Sequence, residues 1–204
     1  KFSFIMLIKM VFTKTMLTIK VYDKMYFQNI EFFETDKFQY LLIHKNACKS
    51  VLKSIEHLSP VFTKIKSKEK IIWTVIRDPY ERFLSGLNYD LIRHNLNFSD
   101  IKLNELFNGK VNLHTRSNGD INHCISQFSH IINVNIDFYV HINDLEIFLK
   151  MHFGESQFLN LNPEKFSLDI EKKDVMKYLN FDYYMYNQIL NSDNLWKWNQ
   201  GKLF

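Results

Sequence analysis

Residues 38–54 read FQYLLIHKNACKSVLKS, in which a short apolar run ends at His44 and Lys45 and then resumes with helical spacing. The apolar residues after this turn follow an i, i+1, i+4, i+7 pattern on one helix face: Val51, Leu52, Ile55 and Leu58. The pattern predicts a strand, a turn and a helix. The first N–H groups of a helix lack intrahelical partners and lie at the positive end of its dipole. The turn is therefore predicted to bind an anion.

Residues 71–87, IIWTVIRDPYERFLSGL, repeat the same layout about thirty residues later. Asp78 is a predicted N-cap, Pro79 occupies the first helical position, and Glu81 completes a capping box. Two strand–turn–helix units side by side predict a parallel sheet that binds its ligand at the carboxyl ends of its strands.

Composition sets broad limits on the protein class. The chain has 204 residues, of which 46% are hydrophobic, and this size predicts a single domain. The net charge of +4 favours an anionic ligand only weakly, and no dense basic run indicates a nucleic-acid partner. Cys48 and Cys124 lie far apart without a CxxC motif, so we expect no disulfide framework or zinc site, and a cytoplasmic location.

The segment before the first unit, residues 1–37, is apolar but contains Lys9, Lys14 and Lys20. No stretch reaches the roughly 18 uninterrupted apolar residues of a membrane-spanning helix. We expect a strand or hairpin that extends the sheet. If this segment were instead the remnant of an anchor, the protein would be membrane-associated.

The turn does not fit a Walker A loop. That loop reads GxxxxGK[ST], and Ile43 and Cys48 occupy its glycine positions here. The turn resembles instead the phosphosulfate-binding loop of carbohydrate sulfotransferases, Pro-Lys-x-Ala-Cys-Thr-Ser. His44 replaces the proline of that loop, and Lys49 replaces its threonine. Four positions match: Lys45, Ala47, Cys48 and Ser50.

The second unit is similar to the 3′-phosphate motif of the same family, V-R-D-P-x-x-R-x-x-S. The resemblance assigns 3′-phosphate binding to Arg77 and Ser85, and we interpret Arg82 as a packing and salt-bridge residue. A guanidinium at a strand end offers a bidentate fork to a phosphate. The resemblance also assigns the 5′-phosphosulfate to the turn, with these cofactor-binding residues: Lys45, Asn46, Ala47, Cys48, Lys49, Ser50 and Val51.

Residues 123–127, HCISQ, resemble the family segment in which a histidine followed by glutamine faces the acceptor. The resemblance makes His123 the catalytic base, since a histidine of ordinary pKa near 6.5 can take a hydroxyl proton at neutral pH. Three other histidines remain alternatives: His94, His114 and His130. His114 and Arg116 lie in a loop that is expected to contact the acceptor.

The resemblance covers residues 38–190. In its last third, residues 136–141 are a predicted strand and a helix is predicted to start at residues 143–145, where Asn143 replaces the family glutamate. The tail from Trp196 is predicted to pack on the sheet. Three residues of the closing family pattern are predicted to be scaffold: Tyr178, Asp182 and Tyr186.

Together these features imply a three-layer αβα fold with a central parallel sheet, of the P-loop NTPase-like sulfotransferase type. The implied donor is 3′-phosphoadenosine-5′-phosphosulfate (PAPS), the acceptor is a hydroxyl of a carbohydrate or another molecule, and no metal is required. Lys45 and His123 are the expected catalytic residues. Three alternatives stay open: an aryl or small-alcohol sulfotransferase, a nucleotide kinase with a degenerate P-loop, and an inactive sulfotransferase-like glycan-binding protein.

Overall fold

The computed structural model describes residues 30–100, 102–103, 124, 126–131, 134–157, 168 and 170–197. Most of the predicted extension, residues 1–29, lies outside these ranges. The strands are β1 (Phe32–Glu34), β2 (Phe38–Leu41), β3 (Val61–Thr63), β4 (Ile71–Ile76) and β5 (Phe138–His141). The α-helices of the described ranges are α1 (Cys48–Ile55), α2 (Pro79–His94), α3 (Leu145–Phe153) and α4 (Lys172–Leu190).

The two predicted strand–turn–helix units are neighbours in a five-stranded sheet of order β3-β1-β2-β4-β5. β2 pairs with β4 in parallel, and β4 pairs with β5 in parallel. The carboxyl ends of these three strands therefore lie at one edge, and Ile76 of β4 stands opposite His141 of β5.

The prediction of a central parallel sheet is not confirmed, because the sheet is mixed. β1 pairs antiparallel with both β2 and β3. Only residues 35–37 separate β1 from β2, and so short a connection joins antiparallel strands, whereas a parallel pair needs a long crossover. The backbone N–H of Thr35 donates to the Phe38 carbonyl (2.9 Å) and closes this turn.

Side chains on the two faces of the sheet belong to two apolar clusters, as strand alternation requires. On one face, Trp73 is buried and contacts Tyr40 and Phe148 with ring centroids 4.8 and 4.7 Å away. This cluster joins the sheet to α1 and α3. The other cluster includes Leu41 and Ile76 and joins the opposite face to α4 and to residues 128–131 and 134–136.

The outer edge of β5 is covered by the chain after α4. The N–H of Tyr139 donates to the Asn194 carbonyl, and the N–H of Trp196 donates to the Tyr139 carbonyl, both at 2.8 Å. The Trp196 ring packs against Phe148 (5.3 Å between centroids), which confirms the predicted packing for this residue. Among the helices in the described ranges, none combines the length and apolar character needed to cross a bilayer.

Candidate functional site

The turn between β2 and α1 wraps without glycine. Lys45 (φ 67°) and Ala47 (φ 58°) both adopt the left-handed conformation, which is uncommon for residues with a Cβ. The N–H of Asn46 donates to the Ile43 carbonyl (3.2 Å), and the N–H of Val51 donates to the Ala47 carbonyl (3.0 Å). Strained backbone of this kind concentrates at functional sites. The conformation of the turn therefore supports the anion-binding prediction.

The N-terminus of α1 carries no side-chain cap. Ala47 is the N-cap residue and offers no acceptor for the N–H groups of the first turn, in a helix with no acidic residue there. The partial positive charge of this helix end is therefore not neutralised by the helix itself. Ser50 and Val51 have buried side chains, so they would contact a ligand through their backbone N–H groups. Lys49 is exposed, and no described residue pairs with its ammonium.

Asn46 ties this turn to β4. Its side chain is fully buried, and Nδ2 donates to the Val75 carbonyl (2.7 Å) and to Gln127 Oε1 (2.9 Å). Gln127, also fully buried, donates through Nε2 to the Arg77 carbonyl (2.8 Å) and accepts from the Arg77 N–H (3.3 Å). Two predicted phosphate-binding segments are thus joined through two side-chain amides.

Sequence reasoning missed this connection. It assigned Asn46 to cofactor binding and treated Gln127 only as the neighbour of a candidate histidine. The partners of Asn46 are 29 and 81 residues away in the chain. Neither amide breaks an apolar pattern in a way that indicates its partner, so no sequence signal identified the pair.

Lys45 is directed towards α2. Its Nζ lies 3.3 Å from the centroid of the Tyr89 ring, a cation–π contact. Burial lowers the pKa of Lys45 to about 8, and the nearby Asp90 carboxylate opposes this effect. Lys45 is therefore mainly protonated at neutral pH and about half deprotonated near pH 8.

Arg77 and Ser85 lie on one side of the start of α2. Arg77 Nε is 3.4 Å from Glu81 Oε2, and the Arg77 side chain is one-quarter exposed. Ser85 follows Glu81 by four residues, so the two share a helix face. In the predicted capping box, the Glu81 carboxylate would accept from the backbone N–H of Asp78. It pairs with Arg77 instead. The N-cap prediction is confirmed, since Asp78 accepts from the N–H groups of Tyr80 and Glu81.

Arg82 is buried beneath the turn, as predicted for a packing residue. Its Nε donates to the His44 carbonyl (3.1 Å). Burial lowers the pKa of Arg82, and Asp182 of α4 opposes that effect. Burial raises the pKa of Asp182 to about 6, while a hydrogen bond from Ser126 Oγ stabilises its ionised form. Arg82 and Asp182 together therefore connect the turn with α4.

The predicted catalytic base, His123, lies outside the described residues, as do His114 and Arg116. Of the alternatives, His130 is buried, and burial together with Arg82 and His44 lowers its pKa to about 3. A histidine with so low a pKa is a weak base at neutral pH.

His141 lies beside the candidate site, in an arrangement that the sequence did not indicate. It ends β5 at the same sheet edge as Arg77, and its Nε2 lies 2.7 Å from the Tyr186 hydroxyl. Nδ1 accepts from the Asn143 N–H (3.2 Å), which assigns the proton to Nε2. Burial lowers the pKa of His141. A single histidine at the end of a predicted strand gave no signal of this pairing.

Across the described ranges, no group of three or more His, Cys, Asp or Glu side chains is arranged to hold a metal ion. Comparison with protein-family models, with curated proteins and with solved structures finds no match for the chain. The function must therefore be inferred from the residues and their geometry.

The amide bridge predicts strong coupling between Asn46 and Gln127. Replacing either residue by alanine leaves buried partners unsatisfied, at a cost of about 1–3 kcal/mol in the free energy of unfolding. The double replacement should cost less than the sum, because the second change removes a partner that is already unpaired. Urea denaturation of the two single variants and the double variant measures this, with an expected coupling of about 0.5–3 kcal/mol. Additive effects would contradict the bridge.

Proposed function

We propose that the chain is a PAPS-dependent sulfotransferase that transfers a sulfuryl group to a hydroxyl of an acceptor, a carbohydrate by preference. One observation carries the proposal: two candidate anion-binding segments follow adjacent parallel strands, and the Asn46–Gln127 bridge joins them. The donor carries phosphate groups at both its 5′ and 3′ positions. Two linked anion sites at one sheet edge match such a ligand better than they match a single phosphate.

The finer fold proposal is a three-layer αβα domain whose parallel part, β2-β4-β5, holds the site. The two apolar clusters on opposite faces of the sheet support it, with α1 and α3 against one face and α4 against the other. The antiparallel strands β1 and β3 extend the sheet on the side of β2.

In this proposal the turn binds the 5′-phosphosulfate. The uncapped N–H groups at the start of α1 face the anion, and the Lys45 ammonium stabilises the charge that develops on the bridging oxygen. Fixed donors of this kind contribute several kcal/mol in a site shielded from water. The Lys45 ammonium contacts the Tyr89 ring in the structure, and in this proposal it turns from the ring to the bridging oxygen when the donor binds.

Arg77 and Ser85 bind the 3′-phosphate. The one-quarter exposed guanidinium is accessible to a ligand, and Glu81 is its present partner. Because the backbone of Arg77 is held by Gln127, the distance between the two phosphate sites depends on the amide bridge.

His123 is the proposed base that removes the acceptor proton as the hydroxyl attacks the sulfur. Support comes from the next residue, Cys124, which is buried with its Sγ 4.0 Å from Asp90 Oδ2. The same carboxylate acts on Lys45. Cys124, which follows His123 in the chain, and Lys45 therefore both lie near Asp90.

Calorimetry with the product 3′,5′-adenosine bisphosphate tests the proposal. We expect it to bind without magnesium and about 10–100 times more tightly than ADP, since charge-assisted hydrogen bonds to the 3′-phosphate contribute about 1.5–3 kcal/mol each. Arg77→Ala should remove most of this preference and leave ADP binding little changed. Magnesium-dependent binding of ADP in preference to the bisphosphate would indicate a kinase and refute the proposal.

Lys45→Ala should lower turnover by about 100-fold or more, because the lost charge acts chiefly in the transition state. Transfer from labelled PAPS to a panel of carbohydrates measures the rate. Lys53→Ala is a matched control, since Lys53 lies on α1, is exposed and pairs with Glu56. Equal turnover of Lys45→Ala and the control would exclude Lys45 from catalysis.

The lowered pKa of Lys45 predicts a pH dependence of ligand binding. Above pH 8 the free site loses its charge, whereas a bound anion keeps Lys45 protonated, so binding requires proton uptake. The affinity for the bisphosphate should fall about fivefold between pH 8 and pH 9, from half of the free site charged to about one-eleventh. Lys45→Arg keeps its charge in this range and should bind with no such slope. The same slope in both proteins would show that another group titrates.

A further inference from the structure

Strand β3 and the residues after it form an exposed surface that the proposed reaction does not use. Its two exposed aliphatic side chains are Val61 (60% exposed) and Ile65 (76%). Phe62 points to the opposite face of β3 from Val61 and packs on Phe33, with 5.5 Å between ring centroids. Three exposed lysines flank or follow Ile65: Lys64, Lys66 and Lys68. Val61, Ile65 and these three lysines are called the basic apolar surface below.

The backbone of this segment is anchored, so the exposure of Ile65 is built into the fold. Gln39 of β2 is fully buried, and its Nε2 donates to the Ile65 carbonyl (2.8 Å) while its Oε1 accepts from the Ser67 N–H (2.9 Å). Ser67 Oγ in turn accepts from the N–H groups of Glu69 and Lys70. A buried glutamine thus uses both ends of its amide to fix the backbone of residues 65–67.

The charge of the surface is not neutralised locally. Within the described ranges, Lys64, Lys66 and Lys68 have no carboxylate partner. Other lysines do have one: Lys53 pairs with Glu56, and Lys70 pairs with Glu34 at 3.4 Å. Lysines on an edge strand discourage sheet extension by another chain. That role does not explain an exposed isoleucine beyond the end of the strand.

We propose that the basic apolar surface docks the protein on an anionic lipid bilayer. The lysines complement the negative headgroups, and the exposed side chains of Val61 and Ile65 enter the interfacial region. Lysines on both sides of an exposed isoleucine favour lipid over a nucleic acid or a sulfated glycan, whose anionic backbones offer no apolar layer to Ile65 and Val61.

Co-sedimentation with vesicles tests the proposal on the full chain. We expect binding to phosphatidylcholine vesicles that contain phosphatidylserine and little binding to phosphatidylcholine alone. The triple variant K64Q/K66Q/K68Q should bind roughly 100-fold more weakly, since each lysine contributes about fivefold near an anionic surface. The control variant K150Q/K173Q/K177Q has the same net charge as K64Q/K66Q/K68Q. It should nevertheless bind vesicles like the wild type. Ile65→Asp should weaken binding, and Ile147→Asp, at an exposed position of α3, should not.

Hydrogen exchange locates the contact. Amides of residues 61–66 should exchange more slowly when anionic vesicles are present, and those of residues 145–153 should not change. If all variants bound vesicles equally and residues 61–66 gained no protection, lipid binding would belong to another segment, such as residues 1–29. That result would overturn the proposal. Protection that depends on protein concentration and not on vesicles would overturn it in favour of self-association through β3. Unfolding midpoints equal to wild type confirm that the variants fold.

Discussion

The buried amide of Asn46 sets the geometry on which the rest of the site depends. It belongs to a turn with two left-handed residues that are not glycine, and such a turn persists only where the surrounding structure holds it. Its Nδ2 contacts reach the end of β4 and Gln127, and Gln127 reaches Arg77. Arg82 supports the same turn from below through the His44 carbonyl. The turn is thus tied to three distant segments, through the backbone of β4 and the side chains of Gln127 and Arg82.

This support explains how a loop without glycine can adopt two left-handed residues at the start of α1. A Walker A loop uses glycine to reach the conformations that wrap a phosphate. Here Lys45 and Ala47 adopt left-handed conformations with their Cβ atoms in place, and neighbouring hydrogen bonds offset the conformational cost. The same arrangement leaves the start of α1 uncapped and directs Lys45 towards Tyr89 and Asp90.

The parallel neighbours β2 and β4 could be predicted from sequence because each is a buried apolar run followed by a polar turn and an amphipathic helix. The antiparallel β1–β2 pair was also readable, because residues 35–37 are too few for a parallel crossover. Strand β3 was not, since it has only three residues, two of them exposed, and lacks the alternation that marks a half-buried strand. The cap at Asp78 was readable because N-capping is local. The Asn46–Gln127 bridge and the His141–Tyr186 contact were not, because each joins residues that are far apart in the chain.

The central claim is that one ligand with two phosphates spans the turn after β2 and the residues after β4. A crystal structure of the chain with 3′,5′-adenosine bisphosphate tests it most directly. The account predicts the 5′-phosphate within hydrogen-bond distance of the backbone N–H groups at the start of α1 and the 3′-phosphate at Arg77 and Ser85. A bisphosphate bound elsewhere, or with only one phosphate at this sheet edge, would contradict it.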